Sequence, residues 1–422
     1  MALDPEEFRK RREQRAQERE KQKARQKKTL LILGAILVAL GVTGCMIVAV
    51  VMGMAEKPAE TPAPETTATE ATEAVRNPEE ITTIHIAAAG DLNVTERVVQ
   101  AGGEELDYTD AFLDVAHLLG EADVTVLNFE GVLCGAPYGT DRSAPQTLVD
   151  ALSRAGVDLL QLANSYSIHK GVSGLGTTID SVRSAGMTPL GAYATRSAAR
   201  AGKGYVICEV KGVRIAFVAF TKGMDGMALP AGSENCVNLL YEDYSSAYQT
   251  VDTEGITKVL ERVEEAKPDL TVALLHWGSE YNDNISKTQE SIRDLFLANG
   301  VDAIIGTHSH FVQKMELNPE TGTFVAYSLG DFMGDTQRAG SEYSVILDLE
   351  ITKNIRTGKT KIAGYSYTPI FTVNEKDRPV QVVQIEAAMK AHESGYIDAV
   401  NKDTYNDMAY ALKRIEARTA GE

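Results

Sequence analysis

Cysteine is scarce in this sequence of 422 residues, with four in all, at positions 45, 134, 208 and 236. There is no CxxC spacing and no close pair. That excludes a disulfide framework and a cysteine-rich metal site. Cys208 lies in an apolar run and is expected to be core. Positive charge is also in short supply: 42 Lys and Arg against 59 Asp and Glu leave a net charge of −17. A nucleic-acid partner, which calls for a basic face, is excluded on that ground. No segment repeats at a fixed period, so a solenoid is excluded as well. Tryptophan occurs once, at Trp277.

The charge that is present is divided. Residues 1–28 carry eleven Lys and Arg against six Asp and Glu, a local balance of +5, so the remainder holds −22. Between the two parts runs Thr29–Met54, 26 residues without a charge. At about 1.5 Å per residue a helix of that length exceeds the ~30 Å hydrocarbon core of a bilayer. The run is expected to be one uncleaved transmembrane helix, since the apolar stretch of a signal peptide is only about 7–15 residues. Lys27 and Lys28 at its start place residues 1–28 in the cytoplasm and the remainder outside. Val42-Thr43-Gly44-Cys45 resembles a lipoprotein cleavage box, but the apolar run continues past Cys45 to Met54. Residues 55–80 are rich in Pro, Thr, Glu and Ala and almost lack large apolar groups. They read as a flexible linker.

From residue 81 short apolar runs alternate with helix-like stretches. Strands are expected at Ile84–Ala89, Val124–Leu127, Asp158–Ala163, Val213–Phe220, Leu270–Leu275, Ala303–Ile305 and Phe324–Leu329. Helices are expected at Thr109–Gly120, Pro145–Ala155, Gly174–Ala185, Ile256–Ala266 and Ser286–Asn299. The alternation indicates an α/β domain over 81–375 with a partly parallel sheet, followed by a helical extension over 376–422.

Polar residues recur where the strands end. Asp91, Glu130, Asn164, His276, His308 and His310 each follow an apolar run. Ligands of open α/β sheets sit beyond the carboxyl ends of the strands. Three of the seven histidines fall at two such ends, and His308-Ser309-His310 can present two imidazoles to one site. Two carboxylates, three imidazoles and an amide oxygen suit Zn²⁺, Mn²⁺ or Fe²⁺ better than Ca²⁺, and the donors suffice for one ion or two. Two ions can clamp the attacking and leaving oxygens of a phosphoester. Arg142 and Lys222, in loops, could bind an anionic substrate but are expected to be solvated, and Trp277 is expected to pack beside the site.

These segments resemble the CapA-type poly-γ-glutamate capsule synthesis family, whose domain has a calcineurin-like metallophosphoesterase fold. The resemblance spans about residues 82–335 and rests on six motifs. They are Ala89-Gly90-Asp91, Asn128-Phe129-Glu130-Gly131, Leu162-Ala163-Asn164, Leu275-His276-Trp277-Gly278, Ile305-Gly306-Thr307-His308-Ser309-His310 and Tyr327-Ser328-Leu329-Gly330-Asp331-Phe332. It implies that Asp91, Glu130, Asn164, His276, His308 and His310 are the metal ligands. It also implies a membrane-anchored protein with polymer-synthesis membrane proteins as partners and an anionic polymer or phosphoester as substrate. Four departures bear on activity, one of them Asp91-Leu92-Asn93, where phosphoesterases at large have Asp-x-His. Tyr166 stands where the family has the histidine that would protonate a leaving oxygen. His169 replaces an Asp and is the second candidate catalytic residue. Asp331 replaces an Asn. A phenol, with its ordinary pKa of ~10, is a poorer acid near neutrality than an imidazole. A metal-dependent hydrolase and a non-catalytic scaffold both remain open.

Overall fold

The computed structural model describes residues 80–334, 338–376, 378–396 and 398–421. The expected transmembrane span, most of the linker and Cys45 lie outside them. Among the described residues no helix is long and apolar enough to cross a membrane.

Fourteen strands are described: β1 (Ile81–Asn93), β2 (Val124–Glu130), β3 (Leu159–Gln161), β4 (Thr188–Leu190), β5 (Tyr205–Val210), β6 (Val213–Thr221), β7 (Leu270–His276), β8 (Ala303–Thr307), β9 (Met315–Leu317), β10 (Phe324–Ala326), β11 (Asp331–Met333), β12 (Tyr343–Asn354), β13 (Thr360–Val373) and β14 (Gln381–Gln384). They form two mixed sheets. The first runs β14-β13-β12-β1-β2-β3-β4, with β11 pairing the end of β1, and the second runs β5-β6-β7-β8-β10-β9. The fold is therefore an α/β fold with mixed sheets. Strands β1 to β4 are parallel, as are β6, β7, β8 and β10. Every residue of β2, β7 and β8 is buried, which explains their continuous apolar sequence.

Helices close the crossovers where local chemistry starts and stops them. Asp252 caps Thr253–Glu265 through the Gly255 N–H, and Ser286 and Gln289 form a reciprocal capping box on Lys287–Ala298. The buried faces of these two helices, with Ile256, Leu260, Val263, Ile292 and Phe296, pack with Phe220, Ala273 and Ile304 of the second sheet.

Three expectations change. Thr109–Gly120 is divided into a 3-10 turn at Asp110–Phe112 and a helix at Ala116–Glu121. The long antiparallel strands β12 and β13 carried no strand expectation. Their pattern is weak because much of β13 is solvated, with burial concentrated in its last four residues. Residues 376–422 open with β14, which pairs with β13, before the helices Ile385–Glu393 and Lys402–Ala420.

Candidate metal centre

Strand register assembles the site. Across the first sheet Asp91 of β1 stands opposite Asn128 of β2 on one side and Asp331 of β11 on the other. Across the second, Thr221, His276 and Thr307 are aligned on β6, β7 and β8. The two rows meet: the His308 N–H donates to Asp91 Oδ2 at 2.9 Å, and Asn128 Nδ2 lies 3.4 Å from His276 Nδ1. Such closeness needs glycine. A Cβ on Gly90 would fall 1.8 Å from the Gly330 carbonyl oxygen, and one on Gly306 would fall 1.9 Å from that of Tyr327. His308 and His310 both hold left-handed backbone, with φ of 88° and 59°. For residues other than glycine this costs of order 1–3 kcal/mol and is concentrated at functional sites.

Two buried clusters result, each with its ligand atoms within 4.8 Å of one another: Glu130, His276 and His308, and Asp91, His310 and Asp331. In the first, His276 Nε2 lies 3.2 Å from Glu130 Oε1. This is no salt bridge in the metal-free protein. Burial drives His276 well below the ordinary histidine range, reinforced by the positive charges of His310 and Lys222. Burial, with Asp91 adding to it, drives Glu130 well above the carboxylate range. His308 is pushed well down by burial, with His276, Lys222 and His310 adding to it. Thr307 Oγ1 and Ser165 Oγ lie 3.0 and 3.1 Å from the two ring nitrogens of His276. Glu130 Oε1 and His308 Nδ1, by contrast, are buried with no hydrogen-bond partner. Two ligand atoms left without partners beside a neutral imidazole fit a bound cation.

The second cluster is paired within itself. His310 Nδ1 lies 2.7 Å from Asp331 Oδ1 and 3.7 Å from Asp91 Oδ2. Burial opposes the charged imidazole, but Asp331, Glu130 and Asp91 outweigh it, and His310 is held well above the histidine range. Burial pushes Asp91 up to about 6, His310 pulling it down and Asp331 pushing it further up. Tyr281 stacks on His310 with 5.1 Å between ring centroids.

Asn164 is buried at the same place and also braces the loop around it. Its Nδ2 donates to Asn128 Oδ1 and the Phe129 carbonyl, and its Oδ1 accepts the Tyr166 N–H. The Tyr166 hydroxyl accepts from Arg142 Nη2 at 2.7 Å, and the guanidinium lies 4.3 Å from the Tyr166 ring centroid. Burial, with Glu130 adding, pushes Tyr166 up to about 12. His169 meets the Tyr166 ring edge-on at 5.7 Å, and its Nδ1 is buried without a partner. Trp277 is fully buried, donating to the Tyr327 carbonyl. Arg142, expected to be solvated, is instead half-buried and fixed to Tyr166 and Asn93.

Asp331 was not among the expected ligands. Its signal is the one that marked Asp91: a Gly-Asp directly after an apolar run. Asn128, two residues before Glu130, was also passed over. It donates to Asp91 Oδ1 at 2.6 Å.

The family described as "Bacterial capsule synthesis protein PGA_cap" matches residues 85–336, which contain every side chain just described. The chain belongs to this family. Among curated relatives, the capsule biosynthesis protein CapA of Bacillus anthracis is 27% identical over 215 residues, 50% of this chain and 48% of that one. The PGA biosynthesis protein CapA of Bacillus subtilis strain 168 is 26% identical over 235 residues, 55% of this chain and 56% of that one. The chain thus spans about half the length of the curated relatives it matches. Among solved structures, the calcineurin-like phosphoesterase YfkN of Bacillus subtilis is similar over 79% of this chain and 99% of that one, at 15% identity and a TM-score of 0.43. A phosphatase from Mycoplasma pneumoniae is similar over 69% and 94%, at 14% identity and a TM-score of 0.41.

Proposed function

We propose that this PGA_cap protein is anchored in the membrane by residues 29–54, with residues 1–28 cytoplasmic. Its domain then works outside the cell in capsule or poly-γ-glutamate synthesis, beside membrane proteins of polymer assembly. Its site takes one or two divalent ions of the zinc, manganese or iron class in a calcineurin-like arrangement, and acts on an anionic polymer or a phosphoester. The observation that carries the metal reading is the pair of buried triads, Glu130/His276/His308 and Asp91/His310/Asp331, with Glu130 Oε1 and His308 Nδ1 unpaired. The first triad and the second would each hold one ion.

Bound there, a divalent ion supplies Lewis-acid polarisation of a phosphoryl or carbonyl oxygen. The chain's own residues set the geometry. Asn128 and the His308 N–H fix the Asp91 carboxylate, Thr307 fixes the His276 ring, and Asp331 fixes that of His310. Tyr166 would be the proton donor, its oxygen anchored by Arg142. One observation favours the second reading, a metal- or polymer-binding scaffold without turnover: a phenol pushed up to about 12 is a weak acid at neutral pH.

Elemental analysis of the full chain, purified without chelator, is expected to find a divalent transition ion. Absence of an ion, together with no rise in melting temperature on adding Zn²⁺ or Mn²⁺, would sink the metal reading. Metal-dependent cleavage of an aryl phosphate that disappears in His276→Ala identifies the hydrolase, whereas no cleavage by wild type leaves the scaffold. Protease added to intact protoplasts is expected to remove the large domain and spare residues 1–28. Full protection of the domain would reverse the topology.

A further inference from the structure

Lys222 follows β6 directly, and its backbone N–H donates to the His276 carbonyl at 2.8 Å. It is thereby pinned beside a candidate metal ligand. Its side chain lines a cavity of about 240 Å³ together with Ser165, Tyr248, Ser279, Glu280 and His308. That cavity opens from the first triad, because His308 forms part of its wall and Ser165 hydrogen-bonds His276.

The ammonium is held in place rather than neutralised. Lys222 Nζ donates to the Gly278 carbonyl at 2.8 Å and lies 4.7 Å from the Tyr248 ring centroid. That ring is admitted by Gly223, where a Cβ would fall 2.6 Å from Tyr248 Cε1. Among the described residues no carboxylate lies within salt-bridge distance of Lys222. A half-buried ammonium with no carboxylate at salt-bridge distance has lost water for only the longer-range attraction of Glu280, a costly state that a bound anion relieves. The acids near it, Asp225 and Glu280, are exposed at the rim. They are solvated and screened, so the deep charge is the cation.

We infer that this cavity is an oxyanion subsite in which Lys222, with Ser165 and Ser279, holds a carboxylate or phosphate of the substrate next to the metal centre. The inference deepens the function proposed above and rests on its metal reading for the position of the reacting atoms. At about 240 Å³ the cavity admits a group the size of one monomer, so a longer polymer would leave over its rim. The expectation that Lys222 is merely solvated is corrected by the same facts.

The test uses the full-length chain, loaded with Mn²⁺ and titrated calorimetrically with inorganic phosphate and, separately, with a γ-linked glutamate tripeptide. Wild type should bind at least one probe. Tighter phosphate binding would assign the subsite to phosphoryl groups, and tighter tripeptide binding to polymer carboxylates. Lys222→Met should weaken the preferred probe about ten-fold or more at unchanged metal content, and Lys222→Arg should retain most of the affinity. Undiminished binding by Lys222→Met, or binding of neither probe by wild type, overturns the inference. If Lys222→Met does not fold, acetylation of wild type decides: the bound probe should protect Lys222, and lack of protection counts against the subsite. Metal content is measured first. A chain that takes up no ion refutes the metal reading alone, and the same anion titrations on the metal-free chain then judge Lys222 by itself.

Discussion

The two triads contain the same kinds of residue in opposite proportions, and they behave differently. Glu130/His276/His308 has two imidazoles driven towards neutrality, one acid driven towards protonation, and two ligand atoms with no partner. Asp91/His310/Asp331 has two acids around one imidazole held in its charged form, and it is satisfied by internal pairing. The first is incomplete without a cation, whereas the second substitutes a proton for one. A histidine-rich set also favours a borderline ion such as Zn²⁺, and a carboxylate-rich set favours a harder one such as Mn²⁺.

The largest expected effect would come from breaking the first triad. His308→Ala should abolish one ion. It should also remove the stabilisation that ion gives, about 2.7–4.1 kcal/mol at a hundred to a thousand times its Kd. Asp331→Ala should spare that ion and weaken only the other. Denaturant titrations with and without chelator, alongside elemental analysis, measure both. Equal losses from the two substitutions would erase the contrast.

A smaller effect concerns the acid beside the first triad. Tyr166→His should speed cleavage of an alkyl phosphate more than that of an aryl phosphate, by on the order of 10²-fold if acid catalysis is recovered. Equal gains on both substrates would mean that the new imidazole is not donating a proton.

The smallest effect is on pH dependence. Protons compete with metal for the same atoms, so affinity falls as pH drops through the pKa of each ligand in the folded protein, about ten-fold per unit for each proton expelled. The second triad must expel the His310 proton, held well above the histidine range, and below about 6 that of Asp91 as well. In the first triad the imidazoles are already neutral, and only Glu130 must deprotonate. Below about pH 6, calorimetry in buffers of different ionisation enthalpy should therefore show more protons released by the second ion, from His310 and Asp91, than by the first, from Glu130 alone. The reverse order would show that the pairing of His310 with Asp331 does not hold a proton.

Much of the site was legible because parallel strands buried on both faces read as apolar runs, and the polar residue closing each run points to the sheet's carboxyl edge. Asp91, Glu130, His276, His308 and His310 were found that way. Asn164 was found too, but an amide that can ligate can also brace a loop, and spacing does not distinguish the two. Asp331 was passed over although Gly330-Asp331 repeats the signal of Gly90-Asp91; only its place beside Asp91, through β11, depends on long-range register. Lys222 and Arg142 were read as solvated because loop position says nothing of what folds over them. Strand β13 escaped because a half-wet strand lacks the unbroken apolar run that gave the others away, and the apolar run of the more buried β12, Val345–Leu347, is cut short by Asp348.

One pairing bears on modularity. The family signature ends at residue 336, yet β12, which begins at Tyr343, is the antiparallel neighbour of β1 from Ile81 to Ala88. The strand that delivers Asp91 is central only because of a segment outside the signature. The matched block and the sheet that carries its ligands are thus not coextensive. A chimera joined at residue 336 would carry all the candidate ligands and still leave β1 with a bare edge, open to pairing with another chain.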